Sequence, residues 1–132
     1  MADDRLKYFD LLQAAITRMA SNSFLLKGWN VTLVAALLGV AAREGKPEMA
    51  LVALVPVSAL WGLDAYYLAL ERRFRELWKN AIAAATPTFN MNPGAVSIAD
   101  WLEAAWRPAV WGLHLPLAIA CFVAYIWLAK KI

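Results

Sequence analysis

MASNSFLLKGWNVTLVAALLGVAA, residues 19–42, is followed after only six residues by MALVALVPVSALWGLDAYYLAL, residues 49–70. Each stretch reaches the ~20 mostly apolar residues that a helix needs to cross a bilayer. The intervening REGKPE contains Gly45 and Pro47, which are typical of a tight turn. The pattern predicts two membrane-spanning helices arranged as a long antiparallel hairpin.

A third stretch, PAVWGLHLPLAIACFVAYIWLA at 108–129, is equally apolar and carries no fixed charge and one histidine, His114. The whole chain of 132 residues is 62% hydrophobic and 17% charged, whereas soluble domains average about 45–50% and about 25%. A soluble domain of this size has too little interior to bury so much apolar surface. We therefore expect an all-α integral membrane protein with three transmembrane helices rather than a soluble globular enzyme.

The chain is predicted to form a single membrane domain, because 132 residues are one domain's worth of sequence. The turn formers after residue 85 predict a loop, and Trp101 and Trp106 predict a short interfacial helix before the third span. The predicted segments are a cytoplasmic amphipathic helix at 1–18, the first span at 19–42, the second span at 49–70, a cytoplasmic helix at 71–85, a loop at 86–97, the interfacial helix at 98–107 and the third span at 108–129.

The two predicted cytoplasmic helices each carry an apolar stripe at the three- to four-residue spacing of one helical face. Leu12 and Ile16 lie on the first stripe, and Phe74 and Leu77 lie on the second. Because no helix breaker separates either arm from its span, we expect both helices of the hairpin to extend into the cytoplasm. The stripes have three interpretations: packing of the arms against each other, a docking surface for a partner, and helices lying on the membrane surface.

The distribution of basic residues predicts the orientation, because lysine and arginine prefer cytoplasmic loops. Eight of them lie in the N-terminal arm and between the second and third spans, and four lie in the first connection and at the C-terminus. We therefore place the N-terminus in the cytoplasm. A signal peptide begins with basic residues, whereas this N-terminus carries Asp3, Asp4 and Asp10. We therefore expect the N-terminus to remain part of the mature protein.

Three ionisable side chains, Lys27, Asp64 and His114, interrupt the predicted spans. Folding the hairpin about residues 45–46 places Lys27 opposite Asp64, and counting inward from the cytoplasmic side places His114 in the same layer. A lone charge in lipid is costly, so we expect the three to form an intramembrane polar cluster. Such a cluster is either a structural ion pair that fixes the register of the hairpin or part of a proton or ion path.

Small residues recur at steps of three and four along the first two spans, and such residues allow helices to approach closely in lipid. They predict either the contact between the two spans or a contact between protomers. These candidate helix-packing residues are Gly28, Thr32, Ala35, Gly39, Ser58 and Gly62. A basic group after the second span is either a contact for lipid phosphates or a solvated face that sets topology. Its members are Arg72, Arg73, Arg75 and Lys79.

Catalytic chemistry has no signature in this sequence. The chain lacks a nucleophile–base set, a carboxylate pair and a phosphate-binding loop. One cysteine, Cys121, and one histidine do not supply the spacing of a disulfide framework or a metal site. We therefore expect no catalytic residue, no metal, no cofactor and no nucleic-acid partner, and we predict that the protein is not an enzyme.

Two motifs resemble a widespread family of small uncharacterised bacterial integral membrane proteins. They are RMASNSFLLKGW at 18–29, similar to the family pattern RMAxNSFxxKGW, and LDAYYLALER at 63–72, similar to LDxYYLxxER. The resemblance covers residues 12–80 and implies a location in the bacterial inner (plasma) membrane. Some members occur near defence genes, which implies a membrane effector or its partner. Lys27 and Asp64 fall inside the two motifs.

Three functions remain open at this point. The first is an oligomeric membrane effector that permeabilises the membrane or signals when it is triggered through its cytoplasmic arms. The second is a membrane anchor or accessory subunit of a larger protein complex. The third and weakest is an ion- or proton-conducting protein, because three short spans hold little polar lining. The first two require a homo-oligomer or other membrane or cytoplasmic subunits as partners, besides the lipid bilayer.

Overall fold

The structure, a computed structural model, describes residues 2–84 and 89–131. These residues form helices and no strand: α1 (Ala2–Glu44), α2 (Glu48–Val52), α3 (Leu54–Ala83), α4 (Ile98–Ala105) and α5 (Pro108–Lys131). Three helical stretches, Asp3–Glu44, Glu48–Ala83 and Pro108–Lys131, are long and apolar enough to cross a membrane. The all-helical fold and its three helices of membrane-spanning length are thus confirmed. The parts of the predicted segments at residue 1 and at residues 85–88 lie outside the described residues.

Helix α1 is continuous over 43 residues, so the predicted N-terminal arm and first span form one rod. Asp3 and Asp4 lie in its first turn and Arg43 in its last, where their charges complement the helix dipole. It ends at Glu44, just before Gly45, whose φ of 64° lies in the left-handed region that glycine adopts without strain. The N–H of Lys46 then donates to a carbonyl of the last turn of α1, and the chain reverses.

The second apolar stretch follows one helical path from Glu48 to Ala83, with a local irregularity at Ala53, whose dihedral angles stay helical. Helix α2 ends at Val52 and α3 begins at Leu54. Pro56 provides the physical reason, because it has no N–H to donate to the carbonyl of Val52 and is tolerated only in the first turn of a helix. The irregularity therefore falls one turn before the proline, where one helical hydrogen bond is missing.

Helices α1 and α3 contact each other over most of their lengths, with residue numbers that run in opposite directions. The guanidinium of Arg5 donates to the carbonyl oxygens of Ala81 and Ala84, at 3.4 and 3.1 Å. Near the other end of the pair, Val34 of α1 and Val57 of α3 share a buried apolar cluster. Helix α5 packs against both helices, and its Cys121 and Leu128 are buried in the clusters at that end.

The largest apolar cluster lies between the N-terminal half of α1 and the C-terminal half of α3. Leu12, Ile16 and Phe74 belong to it, together with Tyr8. The Tyr8 hydroxyl donates to the carbonyl of Asn90, and this contact holds the segment before α4 against α1. The two predicted arm stripes therefore pack against each other in this protomer.

Helix α4 is held against α3 by two tryptophans. The indole N–H of Trp101 donates to the carbonyl of Gly62 at 2.9 Å, and that of Trp61 donates to the carbonyl of Ala105 at 3.0 Å. Ala105 ends α4, so its carbonyl has no partner further along the same helix. The Trp61 indole supplies that partner.

Replacing Leu12 with alanine is expected to destabilise the protein by about 2–5 kcal/mol, because the side chain is 0% exposed in the largest cluster and its removal leaves a cavity. The measurement is thermal unfolding in detergent. Leu11 is the matched control, since it is the neighbouring leucine and is 58% exposed. Equal losses for Leu11→Ala and Leu12→Ala would show that the arms do not pack through this face.

Candidate functional site

Three helices bring five polar side chains together in an otherwise apolar part of the protein. Ser23, Lys27 and Asn30 come from α1, Asp64 from α3 and His114 from α5, and we call this group the polar cluster. The three α1 residues are spaced by four and three positions, so they lie on one helical face. That face is directed towards both α3 and α5.

Asp64 is the centre of the polar cluster and is 0% exposed. Its Oδ2 lies 2.6 Å from the Lys27 ammonium and 2.8 Å from Nε2 of His114. Its other oxygen accepts a hydrogen bond from the Ser23 hydroxyl. Lys27 also donates to Ser23 Oγ at 2.8 Å, and its side chain is 23% exposed, so the charge pair is reachable from one side.

The inner end of the polar cluster is formed by His114 and Asn30, which are both 0% exposed. The Asn30 amide nitrogen lies 2.6 Å from His114 Nδ1. The Trp61 ring stacks on the imidazole, with 6.3 Å between centroids and 17° between planes. The amide oxygen of Asn30 has no hydrogen-bond partner among the described residues.

The geometry of the polar cluster supports a structural role. Lys27 and Asp64 neutralise each other, and an uncompensated charge among apolar spans costs at least about 2.5–3.5 kcal/mol. Because the hydrogen bonds of Asp64 reach α1 and α5, all three long helices meet in one layer. The structure places Lys27, Asp64 and His114 together, as the residue arithmetic predicts.

Sequence analysis missed Ser23 and Asn30. Uncharged polar residues are tolerated in membrane helices, so neither stands out by composition. The available signal is spacing, since both share the helical face of Lys27 at steps of four and three.

The small residues of α1 lie away from the contact with α3. Gly28, Thr32, Ala35 and Gly39 are all exposed, and a Cβ built at either glycine meets nothing within 4 Å. The α1–α3 contact uses larger side chains instead. The expectation that the small residues of α1 form the contact between the first two spans is therefore wrong. On α3, Ser58 is exposed and Gly62 lies against the Trp101 ring, 3.5 Å from a built Cβ.

The basic group after the second span is tied to carboxylates. Arg73 lies 2.5 Å from Asp100, Arg72 lies 3.4 Å from Glu103 and Arg75 lies 3.0 Å from Glu71, whereas Lys79 is exposed. The first two ion pairs connect α3 to α4 and the third lies within α3. Together they leave less positive charge for lipid phosphates than the sequence indicates.

The start of α4 is fixed by one of these carboxylates. Ser97 and Asp100 form a reciprocal capping box, in which each side chain accepts from the backbone N–H of the other. The hydrogen bond from Arg73, together with those from Ser97, holds the pKa of Asp100 below its usual value. Asp100 therefore stays ionised and keeps α4 attached to α3 at neutral pH.

Metal binding has no support in the part of the chain that the structure describes, where histidine, cysteine, aspartate and glutamate do not gather in groups of three. Cys121 is buried against Val34 and Val57. Comparison with known protein families, curated proteins and solved structures gives no match for this chain.

Breaking the Lys27–Asp64 pair from either side is expected to lower thermal stability in detergent, because Asp64→Asn leaves the lysine unpaired and Lys27→Met leaves the carboxylate unpaired. The double variant should recover much of the loss, since the penalty comes from an uncompensated charge. Strictly additive losses would show that the two residues do not act as partners.

Proposed function

We propose that the protein is a small homo-oligomeric protein of the bacterial inner membrane that acts as a permeabilising or signalling effector. The supporting observation is that α1 has two faces of different chemistry. One face carries the polar cluster and is occupied within the protomer. The other exposes Gly28, Thr32, Ala35 and Gly39, and small residues let helices approach closely in lipid. This second face therefore suits contact between protomers.

In this proposal α1 and α3 form a membrane hairpin that extends into the cytoplasm. At ~1.5 Å per residue, the 43 residues of α1 measure roughly 65 Å, about twice the ~30 Å hydrocarbon core of a bilayer. The surplus lies at the N-terminal end, where basic residues favour the cytoplasm. Helix α4 lies at the interface, where the exposed Trp106 suits the boundary between lipid and water.

The cytoplasmic arms provide the route by which an effector is triggered. Leu12 and Phe74 pack in one cluster, and each lies on a helix that continues without a break into its span. A partner that displaces one arm therefore also acts on the packing of the spans. The resemblance of residues 18–29 and 63–72 to membrane proteins found near defence genes agrees with this role.

An anchor or accessory subunit is the alternative, and one surface outside the polar cluster favours it. Leu11, Phe89 and Met91 line an open groove of about 360 Å³ beside Asp4 and Lys7. All three apolar side chains are exposed, so the groove suits another subunit.

Ion conduction is the weaker alternative. Among the described residues, the fully buried polar side chains are Asn30, Asp64 and His114, and hydrogen bonds join all three into one layer. A conduction path requires polar groups at successive depths. The fully buried polar groups of the polar cluster lie in one layer and so do not form such a path.

Native mass measurement of the protein released from its own membrane in mild detergent separates the first two functions. The effector requires a symmetric assembly of 14.6 kDa protomers, because contact between α1 faces joins identical chains. Co-purifying subunits in fixed ratio would instead identify an anchor, and a monomer would contradict the effector.

Cysteine crosslinking tests the proposed protomer contact. In a Cys121→Ala background, Ala35→Cys on the small face of α1 should form a disulfide dimer in the membrane. Val123→Cys is the control, since Val123 is also exposed but lies on α5. Equal crosslinking at the two positions would overturn the assignment of the α1 face.

Thiol labelling tests the orientation in the same Cys121→Ala background. Lys131→Cys should react with an impermeant reagent from the periplasmic side, and Ala95→Cys should be protected, because the basic residues place the segment before α4 in the cytoplasm. Both positions are exposed, so accessibility within the fold does not decide the result. Labelling of position 95 from the periplasm would reverse the topology.

A further inference from the structure

The junction of α3 and α4 leaves an open groove among three tryptophans. Its volume is about 280 Å³, and we call it the tryptophan groove. It is lined mainly by Ser58, Trp61, Gly62, Trp101, Leu102 and Trp106. Ser58, Leu102 and Trp106 are exposed, so the groove opens on the outside of the protein. An occupant can therefore enter it from the surroundings while the α3–α4 junction stays intact.

The walls of the tryptophan groove are held in place by contacts within the protein. The Trp61 indole donates to the Ala105 carbonyl and packs edge-to-face on Trp106, with 5.7 Å between the ring centroids. The Trp101 indole donates to the Gly62 carbonyl. Both of these N–H groups are used, so the two rings present carbon surface to an occupant. Because the rings are held in place, an empty groove would lose dispersion contacts along its walls.

The position of the tryptophan groove along α3 indicates what fills it. In the proposed arrangement the second span ends at Leu70, on the cytoplasmic side of the membrane. At ~1.5 Å per residue, Gly62 and Ser58 lie roughly 12 and 18 Å further in, and half of the ~30 Å hydrocarbon core is about 15 Å. The medium at that depth consists of lipid chains. A hydrocarbon chain therefore matches both the location and the lining of the groove.

The charge beside the tryptophan groove indicates the headgroup that such a chain carries. Arg107 directly follows Trp106 in the chain, so a cation stands next to the groove lining. Its guanidinium donates to Glu103 at 2.8 Å, and the same carboxylate lies 3.4 Å from Arg72. One carboxylate thus faces two guanidinium groups, and all three side chains are partly exposed. The positive charge in excess is the complement of a phosphate group.

We propose that the tryptophan groove binds one hydrocarbon chain of a membrane phospholipid whose phosphate lies beside Arg107. A phospholipid supplies the apolar chain and the anion in one molecule. Lipid chains elsewhere around the helices are interchangeable, because lipid is as apolar as the side chains that it meets. The shape of the groove and the guanidinium distinguish this lipid from the others. The inference rests on the membrane location in the proposed function and is independent of the oligomeric state.

A photoreactive lipid tests the site in nanodiscs. The probe is phosphatidylglycerol with a diazirine in the middle of one acyl chain, added as a small fraction to unlabelled phosphatidylglycerol. After irradiation, peptide mass spectrometry should find crosslinks concentrated at residues 58–62 and 101–106 rather than at Phe122 and Val123, two exposed residues of α5.

Three results of this labelling would overturn the inference. Equal crosslinking of the groove and the α5 residues would show ordinary boundary lipid only. A groove without lipid crosslinks would show that something else fills it, such as a neighbouring protomer. A protein that does not insert into the bilayer at all would overturn the proposed function as well, whereas the first two results leave the proposed function standing.

Matched variants separate the groove from general lipid contact. Ser58→Phe places a ring in the groove and should lower the crosslinks at residues 101–106 several-fold. Ala59→Phe adds the same ring at the next exposed residue, which is not part of the lining, and should leave these crosslinks unchanged. Equal effects of the two variants would contradict a site in the groove.

The headgroup contact is tested with Arg107→Gln, which removes the cation from an exposed ion pair that contributes little to stability. This variant should also lower the crosslinks at residues 101–106 several-fold. Unchanged crosslinks would contradict a phosphate beside Arg107. If Ser58→Phe does not fold, the labelling pattern of the unmodified protein and of Arg107→Gln still decides.

Discussion

The carboxylate of Asp64 is the interaction on which the arrangement of the three long helices depends. It is fully buried, and its oxygens accept from Lys27, Ser23 and His114, which belong to the two other long helices. Apolar contacts do little to select a register between helices in lipid, because hydrocarbon tails surround a leucine as favourably as another helix does. Hydrogen bonds to one buried carboxylate are directional, and they select one register of α1 and α5 against α3.

Outside this layer the attachment of α4 uses a second set of directional contacts. Arg73 and Asp100 join α3 to the first turn of α4, and the indole of Trp61 reaches the carbonyl of its last residue, Ala105. Since Trp61 also stacks on His114, the end of α4 and the polar cluster share one side chain. The position of α4 and the surroundings of the imidazole therefore depend on the same tryptophan.

Sequence reasoning found the long helices and the charged part of the cluster for a simple physical reason. An ionisable side chain in an apolar span has a high free-energy cost, so such residues are easy to recognise in the sequence. Lys27, Asp64 and His114 stand out for this reason. Ser23 and Asn30 cost little in a membrane helix and are visible only by their spacing relative to Lys27. The small residues of α1 carry no information about which neighbour they face, so the sequence left two partners open for them. The irregularity at Ala53 depends on a hydrogen bond that Pro56 cannot donate, which hydropathy does not register.

The length of α1 has a mechanical consequence. Its attachment to Asp64 lies between residues 23 and 30, close to the middle of a helix that runs from Ala2 to Glu44. The buried charge pair divides this helix into two arms of similar length. At ~1.5 Å per residue, Tyr8 and Gly45 lie roughly 28 and 27 Å from Lys27 on opposite sides. A tilt of α1 about the Lys27–Asp64 pair would therefore displace the Tyr8 end and the Gly45 turn by similar distances in opposite directions.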